Sequence, residues 1–405
     1  MAPALRIPAT AELPRLAWLT IDLEALVGNL ATLRALAGSG RPVHPVVKAD
    51  AYGHGAVPIA RALEAAGADG FCVATIDEAL ELRRARIRRP IQVLYPIPSA
   101  WAQEAARRRI AIPAGDPEFL DHTVRALEGW TGRRLGIQLE VETGLGRGGM
   151  IGDALVSAAR TVTANRSMRL DGLWTHLQAA EDPDITARQL AAFDAAADAL
   201  RQAGVRIPVR HVRASGSLLT EGAASYDSVR PGLSIYGLVP DELADRPLSP
   251  HAQALRPVLS LKARPVRVAN LPAGWGISYG PTFRTAGPSR IATLPLGYGD
   301  GWSRSLSNAA EALVRGVRVP LVGTVAMDAI MADVTKVPGP PVTIDDEFVL
   351  IGRQGSAQIT VADLARRRTT NSWEVVTNMA RRLPRVYDAA AGSTLTRTLV
   401  SGGDG

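Results

Sequence analysis

From Trp18 to Tyr236 the chain repeats one pattern: a short apolar run, a turn, then a segment whose apolar positions recur with helical spacing. Trp18–Leu26 passes from strand-like alternation into a helix running through Leu36. Val43–Val47 leads to a helix over Ala56–Ala66, and Gly70–Ala74 leads to one over Ile76–Ala85. Thr75 and Glu78 open that helix at the spacing of a capping box. Ile91–Tyr95, Ala111–Pro113, Leu135–Val141, Leu170–Thr175 and Val209–Val212 are further predicted strands, each followed by a helical or capped segment. About six to eight such units predict a parallel (β/α)8 barrel of TIM type rather than two separate domains.

Past Tyr236-Gly237 the texture changes. Pro240 to Pro250 is a proline- and acid-bearing linker, after which short β-branched runs replace the helical period. Strands are predicted at Leu259–Val268, Arg290–Leu294, Glu311–Val314, Arg318–Leu321, Ala329–Asp333 and Phe348–Ile351. Only Val361–Arg367 and Trp373–Ala380 have a helical pattern there. The expectation is a disordered lead-in over 1–16, a barrel over 17–245, a smaller mostly-β domain over 246–390 and a flexible tail over 391–405.

Composition narrows the class. Of 405 residues, 46% are apolar and 21% charged, as in an ordinary globular enzyme. The single cysteine, Cys72, excludes a disulfide framework and points to the cytoplasm. No apolar run reaches the roughly 20 residues of a membrane span, so no membrane partner is expected. The net charge of +7 comes from arginine clusters such as Arg83-Arg84, Arg107-Arg108-Arg109 and Arg366-Arg367-Arg368. They fall at the ends of alanine-rich helical patterns, where cations suit the helix C-terminus. A nucleic-acid binder would interleave them with aromatics, so no nucleic-acid partner is expected.

The chemistry centres on Lys48, which ends the apolar run Val43–Val47. A buried lysine loses proton affinity, and its free amine forms a Schiff base with an aldehyde cofactor. The competing account is a strand-end lysine reaching solvent. Arg147, His176, Ser215 and Arg230 also follow predicted strands, and chemistry in such barrels gathers at the strands' C-terminal ends. Gly144-Leu-Gly-Arg-Gly-Gly149 matches a dinucleotide-binding GxGxxG, with Asp171 further on. Glu140 and Glu142 stand directly before it and would repel a pyrophosphate, so the match is read as a decoy whose functional part is Arg147. Ser215 and the amides of Gly232 and Leu233 form a plausible phosphate cradle. In the β domain, Tyr279 sits on a tight turn between Gly276 and Gly280.

Together these segments resemble the alanine racemase family. The resemblance rests on Val47-Lys-Ala-Asp-Ala-Tyr-Gly-His-Gly55, Thr143-Gly-Leu-Gly-Arg147, Thr175-His176 and Arg230-Pro-Gly-Leu-Ser-Ile-Tyr-Gly237. It continues through Ser278-Tyr-Gly280, Leu296-Gly-Tyr-Gly-Asp-Gly301, Met327-Asp328 and Arg382-Leu-Pro-Arg-Val-Tyr387, spanning about residues 18 to 387. It implies a fold-type III enzyme using pyridoxal 5'-phosphate in a head-to-tail homodimer with shared active sites, and no metal. Lys48 would carry the cofactor as an internal aldimine and act as the base on one face of an amino-acid substrate, which passes through an external aldimine. Tyr279 from the other subunit would act on the opposite face. Arg230 would face the pyridine nitrogen, with His176 linking it to Tyr279. Tyr52, Ser215, Gly232, Leu233 and Trp373 would surround the phosphate. Arg147 and the backbone of Met327 would receive the substrate carboxylate, with Tyr298 beside them and Asp328 in support.

Three departures from the family pattern bear on the substrate. Glu140 stands where the family often has a carbamylated lysine, and its carboxylate is expected to supply the same negative charge. Arg213 and Ala214 precede Ser215 where an asparagine is usual. Trp373 replaces the tyrosine that normally contacts the phosphate and borders the substrate methyl, and Ala326 replaces a common cysteine. The leading expectation is conversion of L-alanine to D-alanine, and the alternative is a racemase for a different amino acid. A same-fold decarboxylase and a non-catalytic cofactor carrier rank lower: Cys72 lies in a barrel strand, and carriers lack the β domain that bears Tyr279.

Overall fold

The computed structural model describes residues 13–221, 226–388 and 394–399. It divides into a barrel unit, 26–51 with 56–256, and a β unit assembled from residues up to 25, 52–55 and 257 onward.

The barrel unit is built on six parallel strands in sequential order: Phe71–Val73, Ile91–Val93, Ile110–Ala114, Leu135–Glu140, Met168–Trp174 and Arg210–His211. Two further stretches complete it through single bridges rather than ladders. Val46 pairs with Cys72, Val43 with Val229, and His211 with Ser228, all parallel. Supporting amide bonds run from Val47 to the Cys72 carbonyl (2.8 Å), His44 to Val229 (2.9 Å) and Val46 to Pro231 (2.9 Å). The sheet thus closes on itself as expected for a (β/α)8 barrel. Pro42, Pro45 and Pro231 lie in the closing stretches, and a residue without an N–H cannot extend a ladder. That is why Val43–Val47 makes bridges where the apolar run predicts a strand.

The helices start where the sequence signals them. Asp116 accepts a hydrogen bond from Phe119 N (2.9 Å) at the head of Pro117–Ala126, and Asp182 caps Pro183–Gln202 through Asp184 N and Ile185 N (both 2.9 Å). The Ile76–Arg84 helix buries Ile76, Ala79, Leu80 and Leu82, the stripe its spacing predicts. The arginine clusters act locally. Arg83 donates to the carbonyls of Ile87, Arg89, Arg108 and Arg109, each at 2.8 Å. Arg107 and Arg108 pair with Glu104, Arg366 with Asp363, and Arg367 with Glu311.

The β unit has an eleven-stranded sheet. Ala17–Asp22 lies inside it, parallel to Arg385–Asp388 and antiparallel to Leu259–Ala263. The sequence reading counted that strand with the barrel; its pairing partners are more than two hundred residues away and leave no local sign. Leu13, Trp18 and Val386 pack together, so the last residues of the expected lead-in are ordered. Thr394–Arg397 pairs antiparallel with Arg385–Asp388, so part of the expected tail is a strand. Residues 1–12 of that lead-in, and 391–393 and 400–405 of that tail, lie outside the described residues. The run Leu259–Val268 divides into two strands, Leu259–Ala263 and Arg267–Leu271, with Pro265 between them.

Residues 52–55 belong to the β unit, and packing explains both glycines of Gly53-His54-Gly55. A Cβ on Gly53 would lie 2.1 Å from the Val376 carbonyl oxygen, and one on Gly55 would lie 1.9 Å from Tyr387 Oη. Tyr387 Oη donates to the His54 carbonyl (2.9 Å) and Arg385 Nε to the Gly53 carbonyl (3.0 Å). Gly55 also has φ +98°. Gly55→Ala is therefore expected to cost about 2–4 kcal/mol, from overpacking and left-handed strain together. Denaturant unfolding would measure it; wild-type stability in the variant would sink this account.

Candidate active site

Lys48 stands where the chain leaves the barrel wall. Directly after it the backbone turns the wrong way for L-residues: Ala49, Asp50, Ala51 and Tyr52 have φ between 51° and 54°, one left-handed turn. Such a conformation costs roughly 1–2 kcal/mol per residue and persists only where its surroundings impose it. Ala51 N donates to the Val47 carbonyl (3.0 Å), Ala56 N to Asp50 Oδ1 (2.8 Å) and Ala49 N to Glu78 Oε1 (2.7 Å). Glu78 also accepts from Ala74 N (2.7 Å) and Thr75 N (3.2 Å). The capping residue of one helix thereby fixes the peptide next to Lys48. The lysine's pKa is lowered, first by burial and then by the charge of Arg147, with Glu78 and Cys72 opposing. The amine at this position gives up its proton more readily than an ordinary lysine, as a nucleophile requires.

Arg230 is buried and held through Nε and Nη2. Its Nε donates to His211 Nδ1 (2.8 Å) and its Nη2 to the Thr175 carbonyl (2.7 Å), and the guanidinium lies 4.9 Å from the centre of the Trp174 ring. Because Nδ1 accepts, the ring proton of His211 sits on Nε2, which donates to Gln138 Oε1 at 3.0 Å. Burial, then the neighbouring Arg230, holds His211 well below its ordinary pKa. His211 is thus a neutral acceptor in one tautomer, stacked on Trp174 with 3° between the ring planes. Burial lowers Arg230 to about 10, which leaves it charged at neutral pH. Among the described residues no hydrogen bond makes the expected link from Arg230 to His176; the imidazole on Nε belongs to His211. His176 is itself pushed down to about 3, by burial and then by Arg230, Arg147 and Lys48.

Glu140 is buried, and burial raises its pKa while Arg147 and then Arg230 pull it back down. Glu142, two residues on, accepts from Gly144 N and from Gly146 N (2.8 Å). A carboxylate of the protein itself thus occupies the amides that a pyrophosphate would need, in line with the decoy reading of this loop. Cys72 is buried, and burial pushes its thiol up to about 12, so it is no nucleophile.

Ser215 heads the Ser215–Glu221 helix, and its hydroxyl oxygen accepts from Gly232 N (2.9 Å), Ser234 N (3.2 Å) and Ser234 Oγ (3.0 Å). These bonds draw Ser215, Gly232 and Ser234 into one polar turn next to Leu233. A phosphate-bearing aldehyde with a ring nitrogen asks for such a polar turn, an amine of lowered pKa and a cation that keeps its proton. Ser215, Gly232 and Leu233 supply the first, Lys48 the second and Arg230 the third. Arg230 Nη1 makes no hydrogen bond among the described residues and is left to meet a ligand. The residues present fit pyridoxal phosphate.

The β unit carries the other expected residues. Tyr279 is 77% exposed, yet its backbone is fixed: Ser278 has φ +65° and bonds through Oγ to the Thr324 carbonyl (2.6 Å), and Gly280 has φ +51°. Tyr298 and Met327 are brought side by side by Tyr298 N to the Ala326 carbonyl (3.1 Å) and Gly299 N to the Met327 carbonyl (2.9 Å). Asp328 pairs with Arg382 (2.7 Å), which also holds the buried Asp300 (2.7 Å). Trp373 is half-buried on Ser372–Thr377, the helix that contributes Val376 to the packing of Gly53, one residue from Tyr52.

The sequence reading missed His211, Gln138, Glu78 and Tyr95 as site residues. For Gln138 a signal existed: a polar side chain between Ile137 and Leu139 on a fully buried barrel strand.

Two family models match the chain, the alanine racemase N-terminal domain over residues 21–240 and its C-terminal domain over 258–387. The chain is 40% identical to an alanine racemase of Symbiobacterium thermophilum, over 91% of this chain and 96% of that protein. Its fold superposes on alanine racemase from Bacillus anthracis with bound L-Ala-P at a TM-score of 0.88 and 31% identity, covering 96% and 99% of the two chains. It also superposes on a histidine racemase from Leuconostoc mesenteroides at 0.84 and 30% identity, covering 93% and 99%. The lysine at the barrel wall and the cation–imidazole–amide chain behind it thus sit in a member of the alanine racemase family, an amino-acid racemase.

Proposed function

We propose that this protein interconverts L- and D-alanine with pyridoxal 5'-phosphate, as a homodimer whose subunits complete each other's sites. The reading is carried by Lys48, whose pKa is lowered first by burial and then by Arg147, a cation suited to a carboxylate. Bound through Lys48, the cofactor would supply the electron sink that makes the substrate's α-proton acidic.

The chain's own residues do the rest. Lys48 Nζ moves the α-proton on one face. Tyr279 of the partner subunit moves it on the other, and its exposure on a fixed turn supports a role toward a second copy. Two bases on opposite faces are what inversion of a stereocentre requires. Arg230, charged and held by His211, keeps a proton off the pyridine nitrogen, which restrains competing chemistry such as transamination. Arg147 and the Met327 backbone receive the carboxylate, with Tyr298 beside them and Asp328 in support. Tyr52, Ser215, Gly232, Leu233 and Trp373 hold the phosphate end. His176, held neutral by burial and by Arg230, adds no charge beside Arg230 and Arg147.

Glu140 offsets the charge of Arg147. Glu140→Gln is expected to raise KM about tenfold, the scale of one lost charge-assisted interaction, with kcat little changed. A carboxyl with a raised pKa is protonated sooner as pH falls, so wild-type KM should climb on the acid side and that limb should be missing in the variant. An unaltered KM would refute this role.

The deciding experiment is chiral chromatography of the purified protein with pyridoxal phosphate and each L-amino acid in turn. Fastest appearance of D-alanine supports the proposal. A different amino acid racemised faster would select the second reading, which Trp373 and the likeness to a histidine racemase favour.

A further inference from the structure

The guanidinium of Arg147 has an unexpected neighbour. Among the described residues no hydrogen bond or ion pair holds it, although a free arginine side chain carries about 2 kcal/mol of rotamer entropy. What does hold it is the ring of Tyr95, whose centre lies 5.3 Å from Arg147 Cζ. The same ring lies 6.0 Å from Lys48 Nζ. Tyr95 follows the barrel strand Ile91–Val93, at the strand end where the other site residues gather, and it is 40% exposed. The Arg147 guanidinium and the Lys48 amine therefore both lie against one aromatic ring, whose negative quadrupole attracts the guanidinium.

We propose that Tyr95 is a positioning residue: its ring face seats Arg147 so that the guanidinium meets the substrate carboxylate, and its hydroxyl is dispensable. This rests on the reading of Arg147 as the carboxylate receptor. Without the ring, Arg147 must be ordered at the moment of binding, and the cost appears as lost affinity for any carboxylate that enters.

Propionate has the carboxylate of the substrate and no amine, so it reports this contact without turnover. It would be titrated calorimetrically into the full-length, cofactor-loaded protein. Tyr95→Leu should weaken propionate about two- to thirty-fold, the range of a partly desolvated cation–π contact, while Tyr95→Phe should stay within about twofold of wild type. Arg147→Leu should abolish binding. Tyr95→Met serves if the leucine variant does not retain the cofactor's visible absorption. Unchanged affinity in Tyr95→Leu, with binding lost in Arg147→Leu, overturns the proposal alone. Equal losses in Tyr95→Phe and Tyr95→Leu overturn it too, because the hydroxyl would then be responsible. Wild-type affinity in Arg147→Leu overturns the receptor reading beneath it.

Discussion

Lys48→Ala is expected to abolish racemisation, by about three orders of magnitude or more, and with it the visible absorption that a lysine-bound cofactor would give. One substitution removes two functions. An acid–base group alone accounts for about 10²–10⁴ in rate, and losing the amine also removes the covalent anchor. The side chain's surroundings indicate what this amine is for. Burial and the charge of Arg147 lower its pKa, and four residues after it sit in a left-handed turn that Glu78 and Asp50 pin by hydrogen bonds. Strain of this kind at a solvent-reaching lysine would bring nothing. Absorption spectra of dialysed wild type and variant, with chiral assay of both, decide the matter: a persistent band with activity within tenfold of wild type would show that another group holds the cofactor.

Tyr279→Phe is expected to lower racemisation in both directions by about 10²–10⁴-fold, the usual contribution of a positioned acid or base. The ring stays, so packing is unchanged and only the proton-bearing oxygen is lost. The turn is held by Ser278 and its bond to the Thr324 carbonyl, so no repositioning makes good the loss. The telling measurement is made in D₂O. With one base left, the α-proton of one enantiomer should still exchange while inversion fails. Inversion and exchange falling by the same factor would mean that Tyr279 serves both enantiomers alike and would remove it from the two-base scheme.

Much of this architecture was legible in the chain because it is local. The apolar runs, the Asp and Thr caps and the switch to short β-branched strands each depend on neighbours a few residues apart. Lys48, Arg147, Ser215 and Arg230 could be picked out because each follows a strand, a position that sequence order alone conveys. The partner of Arg230 could not. His211 and Gln138 are 73 residues apart and meet only once their strands lie near each other in the barrel. Tyr95 looked like the last residue of an apolar run, and its neighbours Lys48 and Arg147 come from distant parts of the sequence. Glu78 was read correctly as a cap, but its other carboxylate oxygen reaches Ala49, 29 residues away. The strand Ala17–Asp22 was placed by proximity in sequence, whereas its ladder partners come from the far end of the chain.

That last feature bears on the order in which the protein is made. Domains generally fold as they leave the ribosome, the N-terminal one first. Here Ala17–Asp22 must wait for Leu259–Ala263 and Arg385–Asp388 before it has a sheet to join, and the carbonyls of Gly53 and His54 wait for Arg385 and Tyr387. A chain stopped at Arg256 has every barrel strand and still lacks those partners. The segment following Lys48 is therefore finished by residues synthesised more than three hundred positions later, and a chain lacking them has no way to assemble it early.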